Sequence, residues 1–272
     1  MPVLQSAQPC LQLRPYVRAY AYRKFELTDL AVVATIPARL EQVLNVELGV
    51  LPGFLRLDNE MPSETWIGGA QTTFPGYMEL CSGVESFAIF FHPAGWSNLF
   101  GIPMRKITNR VHDASSVMGH CMRNLWNRLG ESSKFEHRVG IVEAFLRERV
   151  PAPSNGGGIA AAAADLFQQH GAIRISTLAD RHSIGLRQFE RRFQQDTGTS
   201  PKVFARVARF QAALDAKLAS PKRTWLDIAH TFGYYDQMHM VHDFESLGRN
   251  TPTQLPAELV YVRPPALASA TE

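Results

Sequence analysis

Four side chains in the run 186–193, LRQFERRF, have the chemistry of base recognition: Arg187, Gln188, Glu190 and Arg191. An arginine can place both arms of its fork on guanine O6 and N7, and a glutamate can accept from cytosine N4. Arg187 and Arg191 stand four residues apart, so on a helix both face the same way. Glu190 has two readings, a cytosine contact or a partner that holds Arg187, and both stay open. The bland alternative, that these are ordinary solvated charges, is weighed by what surrounds them. Leu178, Ala179, Ile184, Phe189 and Phe193 are spaced to pack two short helices against each other. The segment 177–198 therefore reads as a helix-turn-helix whose second helix enters the DNA major groove.

Charge is distributed as an electrostatic footprint for nucleic acid would be. Between Arg174 and Arg223 eleven Lys and Arg face four acids, a local surplus of +7, whereas Thr224–Leu255 carries −3 and the whole chain only +3. Lys202, Arg206 and Arg209 are candidates for phosphate contacts, which add affinity without sequence information; solvated surface charge is their alternative. Ser200-Pro201 is a helix start, a capping hydroxyl followed by proline at the first helical position. The helix it opens is expected to run to about Ala219, roughly 28 Å at 1.5 Å per residue.

The motif then recurs. Ile228 and Ala229 match Leu178 and Ala179, Met240 and Phe244 match Phe189 and Phe193, and Asp236 can cap the second unit's Gln237–Leu247 helix. Gln237 can read adenine, His242 is a further contact candidate, and His239 reads as a packed or hydrogen-bonded structural histidine and not a base reader. Two recognition helices held about one DNA turn, ~34 Å, apart fit successive major grooves on one face of the duplex.

Upstream the pattern changes. Short apolar or alternating runs at 31–36, 42–48, 53–57, 66–69, 78–80 and 86–91, punctuated by Gly, Pro and Asn, suggest a small antiparallel barrel or sandwich up to about residue 115. Helical spacing follows at 117–129 and 135–150, a helical hairpin. PAPSNGGG (151–158) can hold neither period and reads as a linker. The expected domains are thus 1–150 (barrel 1–115, helices 116–150), 159–258 and a tail 259–272. Ser176 or Thr177 is expected to cap a helix at 178–181.

With 272 residues, 45% hydrophobic and 19% charged, the chain has the material for two ordinary domains. No apolar run approaches the ~20 residues of a membrane span, and the N-terminus lacks a signal-peptide pattern, so a cytoplasmic protein is expected. Cys10, Cys81 and Cys121 are far apart and read as reduced thiols. No nucleophile elbow, phosphate loop or His-x-His cluster is present in the barrel region. Neither a cofactor nor a metal is expected. Trp66, Phe74, Tyr77, Phe90, His92 and Trp96 are candidates to line an apolar cavity for a small ligand.

The stretches LADRHSIGLRQFERRFQQDTGTSPKVFARVARFQAAL and LDIAHTFGYYDQMHMVHDFESLGRNTP resemble the DNA-binding domain of AraC-type transcription regulators. Ile36-Pro37, Gly68-Gly69-Ala70-Gln71, Phe90–Gly95 and Gly101-Ile102-Pro103 resemble the cupin-like domain of one subgroup of that family. The resemblance implies an α+β multidomain chain: an antiparallel, cupin-like β-barrel with a helical hairpin, then two helix-turn-helix units joined by a long helix. By position it places base-reading residues at Arg187, Gln188, Glu190 and Arg191, and at Gln237, Met238, Val241 and His242. Double-stranded DNA is the expected partner, with a small effector, RNA polymerase and a second copy of the chain as further candidates. The expectation is a regulator and not an enzyme; a cupin-like metal enzyme with an appended DNA-binding domain is the alternative. Two departures from the family pattern weaken particular points. The first recognition helix opens at Gly185-Leu186 where Ser-Pro is usual, and the second carries no Lys or Arg.

Overall fold

The structure is a computed structural model that describes residues 3–26, 31–55, 63–151 and 158–255. The central part of the expected linker, the expected tail and the end of the strand expected at 53–57 lie outside the described residues. The N-terminal half contains β1 (Val3–Ala7), β2 (Val17–Lys24), β3 (Val32–Ile36), β4 (Gln42–Glu47), β5 (Gly53–Leu55), β6 (Thr65–Gly68), β7 (Gly76–Leu80), β8 (Glu85–Phe91) and β9 (Val111–Asp113). They form two antiparallel sheets, ordered β1-β2-β8-β4-β6-β9 and β3-β7-β5. The helix α1 (Gly95–Phe100) follows β8. After β9 come α2 (Ala114–Met118), α3 (His120–Gly130) and α4 (Phe135–Arg147).

Successive strand residues point to opposite faces, and the large sheet uses this to serve two compartments. Leu44, Val46, Phe87, Ile89 and Phe91 face outward into a core closed by α3 and α4 through Met122, Leu125 and Val142. Val43, Asn45, Trp66 and Phe90, the alternate residues, face inward toward the small sheet. This explains why β2, VRAYAYRK, was not legible: its Tyr20 belongs to the outer core while Arg23 faces inward, so apolar alternation is masked. The helix expected over 117–129 is two helices, because Gly119 adopts φ 70°, ψ −151° and caps one while opening the other.

The helical half comprises α5 (Ile159–Gln168), α6 (Ile175–Arg181), α7 (Leu186–Thr197), α8 (Pro201–Ala219), α9 (Trp225–Thr231) and α10 (Gln237–Gly248). Ser200 caps α8 by accepting from Val203 N, and Asp236 caps α10 by accepting from His239 N. The cap expected at Ser176 or Thr177 is absent: α6 already begins at Ile175, and Arg174 precedes it with no side-chain cap.

The two halves are joined by more than the chain. Ala38 and Leu40, from the β3–β4 connection, are fully buried in the core of the helical half. Ala38 N donates to Leu247 O at the end of α10 (2.8 Å), and Leu40 N donates to Gln211 Oε1 on α8 (2.9 Å). Gln211 Nε2 donates to Glu41 Oε2 (2.6 Å), whose other oxygen pairs with the buried Arg18. At the far side Ser97 Oγ donates to Asp196 O and Thr108 Oγ1 to Gly198 O, both 3.0 Å. Gly198 has φ +84°, which favours glycine, and a Cβ there would overlap Thr108 Oγ1. The β half thus holds the C-terminal ends of both α7 and α10.

Candidate nucleic-acid interface and inner cavity

Both helix pairs close on the same turn. In the first, Ile184 N donates to Ala179 O (3.1 Å) around Ser183, which takes φ +52°. In the second, Tyr234 N donates to Ala229 O (3.0 Å) around Gly233, at φ +69°. A serine in the left-handed region costs about 1 kcal/mol, so the first copy tolerates a strain that the second relieves with glycine. Phe189 and Phe193 are fully buried with ring centroids 5.5 Å apart, and Phe193 meets Phe204 of α8 edge-on at 5.1 Å. Met240 and Phe244 are equally buried, with Phe244 edge-on to Phe210 of α8 at 4.9 Å. The long helix is therefore the common wall of both units.

The opposite face of α7 is bare. Arg187, Gln188, Glu190 and Arg191 are all exposed, and Gly185 supplies no side-chain cap. Arg192 is exposed too and counteracts, through its charge, the upward shift that burial imposes on the Asp196 carboxyl. On α10, Gln237, Met238 and His242 are exposed, Val241 is partly buried, and His242 Nδ1 lies 3.9 Å from Glu245. His239 is exposed as well and not part of the core, with its ring edge-on to Tyr234 at 5.5 Å. Tyr235, in the turn before α10, is 92% exposed and was not among the expected contact residues; an aromatic in a turn signals nothing until its core partners are known.

Of the three phosphate candidates, Lys202 alone is exposed and without an assigned structural contact. Arg206 Nε donates to Asp243 Oδ1 at 2.6 Å, tying α8 to α10. Arg209 is half-buried, its guanidinium 5.5 Å from the centre of the Tyr234 ring. The structure thus gives these two arginines packing roles.

Between the two sheets lies a cavity of about 110 Å³. The large sheet contributes Val43, Asn45, Trp66 and Phe90, and the small sheet Ile36, Phe54 and Met78. Gly68 keeps it open, since a Cβ there would press on Val43 at 3.0 Å. Of the six residues expected to line a cavity, Trp66 and Phe90 do so. Trp96 is fully buried in the outer core against Phe91 and Phe100. Phe74 and Tyr77 stack edge-on on each other at 5.2 Å and do not line it. His92 opens instead on a separate cleft between the halves, with Arg18 and Gln211. Among the described residues, no group of three or more His, Cys, Asp or Glu could hold a metal ion.

Two titratable groups near these spaces, the buried Glu47 and the half-buried His92, have opposed pH responses. Burial pushes the Glu47 carboxyl up to about 7, against hydrogen bonds from Trp66 and Asn45 and the charge of Arg23. Burial, aided by Arg18, pushes His92 down to about 4. Glu47 keeps a proton in the fold that it loses when unfolded, so its contribution falls as pH rises from about 4.5 to 7. His92 resists protonation in the fold, so its contribution falls as pH drops from about 6.5 to 4. Each effect is about 3 kcal/mol, and in the intact protein they largely offset each other. In urea denaturation at pH 7 and pH 5, Glu47→Gln is expected to lose stability on acidification relative to the parent, and His92→Asn to gain it. Parallel pH profiles for parent and Glu47→Gln would show that Glu47 does not hold a proton in the fold.

Among known proteins, residues 178–257 match the family described as a helix-turn-helix domain. The fold resembles ToxT from Vibrio cholerae O395 bound to (E)-4-(8-methylnaphthalen-1-yl)but-3-enoic acid, with 8% identity, TM-score 0.50, and 96% of this chain and 99% of that chain covered. Unsaturated fatty acid bound wild-type ToxT from Vibrio cholerae strain SCE256 gives 9% identity, TM-score 0.47 and 97% of each chain. The AraC-like transcriptional activator CuxR gives 13% identity, TM-score 0.25, and 77% and 86% of the two chains. No curated protein matches the sequence. The matched segment takes in the turns of both units and the long helix between them.

Proposed function

We propose that this chain is a sequence-specific DNA-binding transcription regulator that reads two adjacent major grooves and is controlled by a small molecule bound between its two sheets. The observation that carries the reading is the pair of units with one turn geometry and one shared wall, α8, the first of which presents exposed Arg187 and Arg191 on a face with no packing role. Base contacts are assigned to Arg187, Gln188, Glu190 and Arg191 on α7, and to Gln237, Met238, Val241 and His242 on α10. Lys202 is assigned to phosphate. Met238 and Tyr235 suit apolar contact with thymine methyls. The domains are read as a sensor half, 1–150, and a DNA-binding half, 159–258. That ToxT is described with a butenoic acid derivative and with an unsaturated fatty acid supports an effector for the same fold. A cytoplasmic location, a non-enzymatic role, assembly as a homodimer and contact with RNA polymerase complete the proposal; no helix of the described residues is long and apolar enough to cross a membrane.

The test is selection of bound duplexes from a random DNA pool with the full chain. The expected result is an enriched motif with two information-rich blocks about 10 base pairs apart, and binding that weakens steeply with salt. Recovery of sequences no different from the starting pool would sink the reading.

A further inference from the structure

We infer that the cavity between the sheets is a receptor for a small monocarboxylate with an apolar body and one hydrogen-bond donor, held by Arg39 and Asn45. The inference rests on the reading of this cavity as the effector site. Its walls are aromatic and aliphatic, with Trp66, Phe54 and Phe90 among them. The one acid of its lining, Glu41, already has both oxygens engaged, by Arg18 and Gln211.

Two polar atoms of lining residues are left over. Arg39 gives Nη2 to Asp215 (3.2 Å), while its Nη1 is buried with no hydrogen-bond partner among the described residues. Asn45 is fully buried; its Nδ2 donates to Glu47, and its Oδ1 accepts from none of the described residues. An unmade buried hydrogen bond costs about 1–3 kcal/mol, so a ligand that supplies an anionic acceptor to one atom and a donor to the other recovers both. Size narrows the choice. An apolar cavity of about 150 Å³ takes one benzene, so the roughly 110 Å³ here admits a short branched chain as it stands and a single ring once the walls shift outward.

Arg39 also explains how occupancy would be felt. It belongs to the connection that carries Ala38, Leu40 and Glu41 onto α8 and α10, and the guanidinium that would receive the ligand already holds Asp215 of α8. An anion at Nη1 shares the positive charge that now serves Asp215, which loosens the grip of the β half on the helix between the two DNA-reading units.

The test uses the full chain, with thermal stabilisation and DNA binding measured on the same preparation. The probes are 4-hydroxybenzoate, benzoate, benzyl alcohol and oleate. 4-Hydroxybenzoate at millimolar concentration is expected to raise Tm by several degrees, benzoate less, and benzyl alcohol least. Arg39→Gln is expected to weaken 4-hydroxybenzoate at least tenfold while leaving benzyl alcohol unchanged. Asn45→Leu should erase the advantage of 4-hydroxybenzoate over benzoate. Asp215→Asn, which breaks the same ion pair from the other side, should retain acid binding, which separates ligand recognition from damage to the interface. The inference is overturned if neither aromatic acid binds, if oleate alone binds, or if Arg39→Gln binds the acids like the parent. Specific DNA binding that persists in those cases leaves the regulator reading intact, whereas its absence in the ligand-free parent would count against that reading instead.

Discussion

Replacing Arg187 and Arg191 together with alanine is expected to remove most of the discrimination between the preferred DNA site and unrelated duplex. Both side chains are exposed on one face of α7, four residues apart, with the buried Phe189 and Phe193 on the opposite face. Neither substitution therefore touches the core, and folding should be preserved. A good two-armed contact to a base contributes about 1–3 kcal/mol of discrimination. Two such losses amount to roughly 2–6 kcal/mol, a fall of about thirtyfold at least. Fluorescence anisotropy at one fixed salt concentration, with the selected site and a scrambled duplex, reads the ratio directly. Lys202→Ala provides the contrast: it should weaken both duplexes alike and reduce the salt slope by about one. If the double variant kept the parent's ratio, the assignment of base reading to this face would be wrong. The equivalent changes on α10, Gln237→Ala and His242→Ala, should cost less, because that unit offers no cationic fork to a guanine.

The helix-turn-helix and its duplication were legible in the sequence for a physical reason. A helix-turn-helix is local, so its apolar spacing, caps and turn all fall within one short window, and Phe189, Phe193, Met240 and Phe244 announce the buried face by period alone. The β half resisted because its large sheet has apolar cores on both sides. Tyr20 serves one compartment and Arg23 the other, and neither period nor polarity marks the strand between them. The same cause misplaced Trp96, whose aromatic character fits a cavity wall and an outer core equally well. Least legible was the β3–β4 connection. Arg39 and Glu41 look like surface charge in sequence, and only the arrival of Gln211 and Asp215, some 170 residues downstream, makes them an interface.

Arg206→Ala is expected to destabilise the helical half by about 3–5 kcal/mol, which for a protein of this size lowers Tm by roughly 10 °C. The cause is asymmetry in burial across the Arg206–Asp243 pair. Asp243 is 2% exposed, whereas the Arg206 side chain is 42% exposed. Asp243 Oδ1 accepts from Arg206 Nε at 2.6 Å, and its Oδ2 is buried without a hydrogen-bond partner among the described residues. The Tyr234 hydroxyl is also buried with no hydrogen-bond partner among the described residues, and burial together with the Asp243 charge pushes its pKa up. Removing the arginine strands a carboxylate in the core. Removing the carboxylate, as in Asp243→Leu, merely returns an arginine to water. Arg206→Ala should therefore be the worse single change, and the double variant Arg206→Ala with Asp243→Leu should recover part of the loss. Urea denaturation of the three variants against the parent measures the order. A phosphate-contact role for Arg206 predicts the reverse pattern: unchanged stability, with a salt slope reduced by about one. The two outcomes cannot be confused, and the burial of Asp243 makes the loss of stability the one to expect, because this ion pair joins the Phe210–Phe244 contact in holding α10 to α8.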